Sequence, residues 1–180
     1  PEQVNQYKHP FIFDLDGTLV NTDDIYVKVW NFILKKYDMS VDDNFFNFFI
    51  QGKNDILFLK NIFPNIREKE INEISNLKDT LFIDYLKDYN KDIMINGAKK
   101  FIQKNKNRRM CVVTSCNKKA AEYILKKTNL HDYMQFLIAS EDCTKHKPNK
   151  EPYERAINIL QCSGNCTIFE DSNSGYKSAM

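Results

Sequence analysis

Pairs of carboxylates follow two short apolar runs near opposite ends of this 180-residue chain. Asp14 and Asp16 come after Phe11-Ile12-Phe13, and Glu170 and Asp171 come after a second run of the same kind. Short apolar runs bounded by polar residues are typical of buried strands. In parallel sheets, functional side chains collect beyond the carboxyl ends of the strands. We therefore expect these four carboxylates to meet at one edge of a sheet.

Such a group of acids needs a cation nearby. Four carboxylates in one pocket repel one another and raise one another's pKa unless positive charge neutralises them. Mg²⁺ suits the position, because this hard ion binds a few carboxylates together with water and phosphate oxygens. A calcium loop of the EF-hand type does not fit, because Gly17 falls two residues too early.

The spacing of the first acid pair also permits covalent chemistry. Asp14 and Asp16 are two residues apart, so on an extended exit from a strand their side chains point to opposite sides. One can then attack phosphorus while the other donates a proton, and an aspartate nucleophile gives an aspartyl-phosphate intermediate. Gly17 permits the sharp turn that aims both groups.

Two further residues can bind a phosphate group. Thr114 follows the apolar run Met110–Val113, and Lys147 stands before Pro148 and a predicted helix. Phosphoryl transfer depends mostly on positioning and charge stabilisation, which a lysine and a hydroxyl can supply. Taken alone, Lys147 is typical of a surface residue and Thr114 of a helix cap. Their places at matching strand ends favour a shared site with the carboxylates.

The pattern of apolar residues predicts an α/β core with a helical insertion. The predicted strands are residues 11–13, 110–113, 136–139 and 166–169. Helical patterns alternate with the last three, which indicates a parallel sheet of the Rossmann-like type. Residues 22–91 instead show four amphipathic helices, the second with Ser40 as its predicted cap. The predicted domains are thus a core of residues 1–21 and 92–180 and an all-helical domain of residues 22–91.

Composition limits the remaining classes. Hydrophobic residues make up 42% of the chain, enough for a real core. The net charge is +2 without a basic block, so we expect no nucleic-acid partner. No apolar run approaches the roughly 20 residues of a membrane span, so we expect no membrane association. The five cysteines lack a paired metal-site pattern, which predicts reduced thiols in a cytoplasmic protein.

The chain resembles the haloacid dehalogenase superfamily over nearly its whole length. The similar subgroup is that of β-phosphoglucomutase and the small sugar-phosphate phosphatases. The motifs are Phe13-Asp14-Leu15-Asp16-Gly17-Thr18-Leu19, Val113-Thr114-Ser115, Lys147-Pro148 with Glu151-Pro152-Tyr153, and Phe169-Glu170-Asp171-Ser172 with Ser174-Gly175. The first motif is a strong signal, and the second is weak alone. The resemblance implies the superfamily's sheet fold, with the helical domain of residues 22–91 as its cap.

The resemblance also implies roles for individual residues. Asp14 would be the nucleophile, and Asp16 would protonate the leaving group and later activate water. Mg²⁺ would be held by the carboxylates of Asp14 and Asp171 and by the backbone carbonyl of Asp16, with Glu170 close by or ligating. The residues expected to bind phosphate are Thr114, Ser115 and Lys147. Lys53, in a segment that resembles the cap loop, is the candidate for substrate contact.

The implied activity is Mg²⁺-dependent hydrolysis of a small phosphorylated metabolite by a monomer, with a sugar, glycerol or nucleotide-derived phosphate as substrate. A phosphomutase is one alternative. Tyr26 and Asp55 weaken it, because β-phosphoglucomutases carry a histidine and an arginine at about these positions. Asp16 weakens a dehalogenase, because dehalogenases of this superfamily lack that second acid. A catalytically silent phosphate-binding module is the alternative from another class.

Relatives of this type continue through at least one more strand and helix beyond the position of Met180. The sequence therefore predicts either a fragment of a longer protein or a sheet that is short at one edge. An unpaired edge strand would favour association. The sequence leaves both possibilities open.

Overall fold

The computed structural model describes residues 8–51 and 55–180. The chain divides into two compact units, Pro1–Asn21 with Asp92–Met180 and Thr22–Lys91. The helices are α1 (Asp23–Leu34), α2 (Asp43–Phe45), α3 (Asp55–Ile62), α4 (Glu68–Asp88), α5 (Ala98–Lys104), α6 (Lys118–Lys127), α7 (Glu151–Leu160) and α8 (Asn173–Ala179). The strands are β1 (Phe11–Phe13), β2 (Met110–Val113), β3 (Leu137–Ile138) and β4 (Thr167–Phe169).

A parallel sheet in the order β3-β2-β1-β4 forms the centre of the first unit. β1 lies between β2 and β4, with Phe13 opposite both Val112 and Phe169. Neighbouring strands in register end together, so Asp14 and Glu170 leave the sheet side by side. The predicted α/β sheet with an inserted all-helical unit is confirmed.

Both faces of this sheet are covered, as expected for parallel strands. On one face, Ile12 and Val113 pack in a buried cluster with Tyr153 of α7. On the other face, the ring of Phe101 from α5 lies edge-on to Phe13 and Phe169, with centroids 6.4 and 5.4 Å away. All three residues of β1 are buried, so the loop that follows it starts from inside the sheet.

A tight turn follows β1 and leads to the helical unit. The carbonyl of Leu15 accepts hydrogen bonds from the N–H groups of Leu19 and Val20 at 2.9 and 3.2 Å. Val20 then forms an isolated antiparallel bridge with Met94. The N–H of Asn21 donates to the carbonyl of Ile93 at 2.8 Å. The segments that leave and re-enter the α/β unit are therefore hydrogen-bonded to each other.

The helical unit has an aromatic core of its own. Trp30 of α1 meets Phe58 of α3 edge to face at 4.8 Å, and both are almost fully buried. The ring of Tyr26 stacks on Phe82 of α4 with centroids 4.4 Å apart. These contacts explain the aromatic pattern of the segment as packing.

The predicted cap of the second helix is wrong. Asp42, rather than Ser40, accepts a hydrogen bond from the N–H of Phe45 at 2.7 Å and so caps α2. Asp42 directly precedes the first helical residue, which is where a capping side chain reaches the free N–H groups. After α2, residues Phe46–Ile50 continue as a π-helical segment.

No helix in residues 8–51 and 55–180 is both long enough and apolar enough to cross a lipid bilayer. All five cysteines lie within these ranges, and each is a free thiol.

Candidate active site

Asp14 is the first residue after β1 and is held by the sheet itself. Its N–H donates to the carbonyl of Phe169 at 3.0 Å, which extends the pairing of β1 with β4 by one step. Its Oδ1 accepts a hydrogen bond from Lys147 Nζ at 2.8 Å, and its Oδ2 accepts one from Thr18 Oγ1 at 3.2 Å. Asp14 is only 8% exposed, so its charge depends on these neighbours.

The pKa of Asp14 reflects this burial. Loss of hydration raises the pKa of Asp14 to about 7, although the charge of Lys147 lowers it. The nearby carboxylates of Glu170 and Asp16 contribute to the same rise in pKa. A nucleophilic aspartate must be ionised. One more positive charge beside Asp14 would favour that form near neutral pH.

Lys147 lies among the acids with its side chain only 5% exposed. Besides Asp14, its ammonium group donates to the carbonyl of Val113 at 3.1 Å and to Glu170 Oε1. Nζ also lies 4.9 Å from the ring centroid of Tyr153, within range of a cation–π contact. Three acceptors for three N–H bonds hold the ammonium group in one place.

The Glu170 carboxylate is enclosed by donors. Oε1 accepts from Lys147 and from the hydroxyl of Tyr153 at 2.7 Å, and Oε2 accepts from the N–H and hydroxyl of Ser172 at 3.3 and 3.2 Å. Burial alone would raise the pKa of Glu170, but the charge of Lys147 and these hydrogen bonds outweigh burial and lower it. Glu170 is therefore the ionised partner of Lys147.

Asp171 completes the acid group from the exposed side. Thr18 Oγ1 lies 3.3 Å from Asp171 Oδ1 and so connects this carboxylate to Asp14. Gly17 has φ +84°, and a Cβ at this position would overlap the Asp171 carboxylate. The glycine is thus required both for the left-handed backbone and for the space that Asp171 fills.

The acid group can hold a metal ion. Asp14, Glu170 and Asp171 each offer a carboxylate oxygen, and within the described parts of the chain these oxygens lie within 4.8 Å of one another. Two oxygens bound to one Mg²⁺ lie at most about 4.2 Å apart, because each Mg–O distance is about 2.1 Å, so a bound ion would draw these oxygens slightly closer together. Carboxylate oxygens are also the donors that this hard ion prefers.

The other predicted residues occupy different surroundings. Asp16 is partly buried and forms a backbone bridge with Val20, and its carboxylate lies outside the three-acid group. Thr114 is buried after β2, and its hydroxyl accepts a hydrogen bond from the N–H of Cys116 at 3.1 Å. Ser115 is exposed. Lys53 lies outside the described residues.

Two contributors to the site are not predicted by the sequence. Thr18 lies in the first motif, and its contact with two carboxylates depends on a turn that spacing does not define. Tyr153 belongs to the motif Glu151-Pro152-Tyr153, and its ring also packs in the hydrophobic core. Its position six residues after Lys147 was the available signal. Burial and the neighbouring Glu170 raise the pKa of Tyr153, so its hydroxyl is a hydrogen-bond donor.

The family of this chain follows from comparison with known proteins. A model of the haloacid dehalogenase-like hydrolase family matches residues 11–180, and the chain belongs to this family. A Clostridium perfringens protein that bears the name of a pyrophosphatase, PpaX, is 30% identical over 155 residues, covering 84% of this chain and 69% of that protein. Validoxylamine A 7'-phosphate phosphatase of Streptomyces hygroscopicus subsp. limoneus is 23% identical over 171 residues, or 93% and 79% of the two chains. The predicted superfamily and phosphatase class are confirmed.

Solved structures share the fold. CbbY of Rhodobacter sphaeroides, in complex with phosphate, has a TM-score of 0.82 at 18% identity and covers 95% of this chain and 81% of its own. β-Phosphoglucomutase of Clostridium difficile has a TM-score of 0.81 at 20% identity, with 95% and 79% coverage. At such identities the likeness establishes the sheet and its helical insertion.

Proposed function

We propose that this chain is a Mg²⁺-dependent phosphatase that hydrolyses a small phosphate monoester through an aspartyl-phosphate on Asp14. One observation carries the proposal. The buried Asp14 carboxylate lies 2.8 Å from the fixed ammonium group of Lys147, within a group of three acids. A nucleophile, a fixed positive charge and hard oxygen donors are what phosphoryl transfer to a carboxylate requires.

The first half-reaction transfers the phosphoryl group to the enzyme. A bond forms between an Asp14 carboxylate oxygen and phosphorus, and the bond from phosphorus to the leaving oxygen breaks. Asp16 gives its proton to that leaving oxygen, so the product leaves as an alcohol. Asp16 lies two residues beyond the nucleophile on the same turn, a spacing that suits the two complementary roles.

The second half-reaction restores the enzyme. Asp16, now ionised, accepts a proton from water while the water oxygen attacks phosphorus. The bond between Asp14 and phosphorus breaks, inorganic phosphate leaves, and both carboxyl groups return to their starting states. One residue thus serves as acid in the first step and as base in the second.

The remaining residues bind the phosphate group and the metal ion. Lys147 presents its positive charge to the phosphate group, with the hydroxyl of Thr114 and the hydroxyl and N–H of Ser115 as further donors, since the N–H of Thr114 already donates to the carbonyl of Ile138. The carboxylates of Asp14 and Asp171 and the backbone carbonyl of Asp16 would hold Mg²⁺, with Glu170 close by. Bound magnesium supplies positive charge that favours the ionised form of Asp14 and neutralises phosphate oxygens.

The substrate class is a small phosphorylated metabolite from the sugar, glycerol or nucleotide-derived phosphates. Two relatives support this size range, because the Streptomyces enzyme is named for validoxylamine A 7'-phosphate and the CbbY structure contains phosphate. Lys53, in the helical unit, is the proposed contact for the non-reacting part of the substrate. A monomer in the cytoplasm remains the expected form.

No observation in the described residues favours the phosphomutase alternative. Tyr26 stacks on Phe82, and Asp55 accepts a hydrogen bond from Lys78 at 2.7 Å, so both residues are engaged within the helical unit. Neither brings the histidine or arginine that the mutase pattern requires at these positions.

Phosphate release from p-nitrophenyl phosphate tests the proposal. The purified chain should release phosphate with Mg²⁺, and Asp14→Asn should lower kcat by about 10³-fold or more, because removal of a nucleophile acts on the chemical step. Asp132→Asn is the matched control, since the Asp132 side chain is fully exposed. Full activity of Asp14→Asn would refute the nucleophile. Phosphate binding without turnover by the unaltered chain would instead favour the silent module.

A further inference from the structure

The Tyr153 side chain joins the hydrophobic core to the acid group. Its ring is 1% exposed and packs with Ile12, Val113 and Ile138 under the sheet. Its hydroxyl donates to Glu170 Oε1 at 2.7 Å. Because the ring is enclosed by core residues, the position of this hydroxyl is set by the fold and not by solvent.

Glu170 connects the Tyr153 hydroxyl to Lys147, because its Oε1 accepts a hydrogen bond from each. Its two oxygens already accept four hydrogen bonds, from Tyr153, Lys147 and both donors of Ser172. A carboxylate offers about four lone-pair directions, so this one is fully occupied. Glu170 therefore faces the ammonium group in a fixed orientation, while the Tyr153 ring lies 4.9 Å from the same Nζ atom.

We propose that Tyr153 is a positioning residue that holds Lys147 in its phosphate-binding place through Glu170. The inference rests on the proposed function for the role of Lys147. In this inference the main role of Glu170 is to hold Lys147. The alternative role is that of a ligand that coordinates Mg²⁺ directly. The two assignments predict different consequences when the Tyr153 hydroxyl is removed.

Tyr153→Phe keeps the buried ring and removes only the hydroxyl. We expect the KM for p-nitrophenyl phosphate and the Kd for inorganic phosphate each to rise roughly three- to tenfold, as for one weakened charge-assisted contact. The Mg²⁺ concentration for half-maximal activity should stay within about twofold, because a change of that size is under 0.5 kcal/mol. Tyr176→Phe, at a tyrosine that is 60% exposed, is the matched control.

A double-mutant cycle separates positioning from a general loss of packing. Glu170→Gln keeps the shape of the side chain, and Tyr153→Phe should add little to its effect on phosphate affinity, since residues in one hydrogen-bond network do not act additively. Additive effects would overturn the inference. If Tyr153→Phe does not fold, Glu170→Gln alone is decisive, with weaker phosphate binding at unchanged Mg²⁺ dependence as the expected result.

Two other results would also overturn it. One is an unchanged Kd for inorganic phosphate in Tyr153→Phe. The other is a rise in the Mg²⁺ requirement without loss of phosphate affinity, which would make Glu170 a metal ligand. Calorimetric titration with inorganic phosphate needs no turnover, so this inference can fail while phosphatase activity stands. Conversely, if Tyr153→Phe weakens phosphate binding but the unaltered protein shows no turnover, the proposed function is refuted and this inference stands.

Discussion

The ammonium group of Lys147 lies 2.8 Å from Asp14 Oδ1, although 133 positions separate the two residues in the chain. Both side chains are largely buried, with 5% and 11% of their surface exposed. Water therefore screens their attraction only weakly. Removal of either partner leaves a charge inside the protein without its counter-ion, which is among the more costly changes a site can suffer.

Lys147→Met should therefore impair both folding and binding. Breaking a buried ion pair costs roughly 3–5 kcal/mol, and we expect about 3 because Asp14 can take up a proton. The KM for p-nitrophenyl phosphate should rise about tenfold or more, since the phosphate loses a charge-assisted hydrogen bond. Urea unfolding and steady-state kinetics measure the two effects. The exposed Lys145 provides the control Lys145→Met, and an unchanged KM in Lys147→Met would contradict the assigned role.

Gly17→Ala tests whether Asp171 needs the space beside the turn. Gly97→Ala is a close control, because Gly97 has nearly the same backbone angle, φ +83° against +84°, but nothing within 4 Å of an added Cβ. Both variants should lose on the order of 1 kcal/mol of stability from the strained backbone. Only Gly17→Ala should lower kcat/KM, by about tenfold or more, through displacement of a charged side chain. Equal activity of the two variants would show that the Asp171 position is unimportant.

Metal removal should abolish activity reversibly. Chelation with EDTA is expected to stop phosphate release, and added Mg²⁺ should restore it. Asp171→Asn should raise the Mg²⁺ concentration for half-maximal activity by about 10- to 100-fold, as loss of an acidic group at a metal site does. Asp132→Asn should leave this concentration unchanged. Undiminished activity in EDTA would exclude magnesium as the cofactor.

The Glu151 carboxylate makes the segment before Lys147 sensitive to acid. It accepts hydrogen bonds from the N–H groups of Thr144 and Lys145 at 2.9 and 2.7 Å, and these bonds lower the pKa of Glu151. A group with a lowered folded-state pKa stabilises the protein above its unfolded value, about 4.3 for glutamate. That contribution is lost as the pH falls through the lower folded-state pKa.

Glu151→Gln should accordingly be less stable than the unaltered protein at pH 7, with a difference that shrinks as the pH falls below about 4. Urea unfolding at several pH values measures the difference. Glu154→Gln, an exposed glutamate on the same helix, serves as the control. A difference that grows on acidification would contradict the sign of the pKa shift.

Much of the fold could be predicted because the strands are short apolar runs between polar residues. The predicted runs at 11–13 and 110–113 match β1 and β2, whereas β3 is shorter than the predicted 136–139. Among the described residues, β3 pairs only with β2, through Leu137 and Ile138. The pattern of apolar residues does not show where such pairing begins and ends. The cap at Asp42 in place of Ser40 shows a second limit, since local hydrogen bonds decide between neighbouring polar residues.

The site was predictable to the extent that strand ends meet. Asp14, Lys147 and Glu170 converge because a parallel sheet brings its carboxyl ends to one edge. The contacts of Tyr153 and Thr18 were not predictable in the same way. Each contact depends on the direction in which the side chain points once the protein has folded. The pattern of apolar residues does not show whether the hydroxyl of Tyr153 or Thr18 has a hydrogen-bond partner.

The bridge from Val20 to Met94, with the bond from Asn21 to Ile93, has an evolutionary consequence. Both ends of the 70-residue helical insertion are fastened within the α/β unit, so residues Thr22–Lys91 can gain, lose or exchange helices without altering how β1 meets β2. Changes within the helical insertion would then leave Asp14, the first residue after β1, in the place where the sheet holds it.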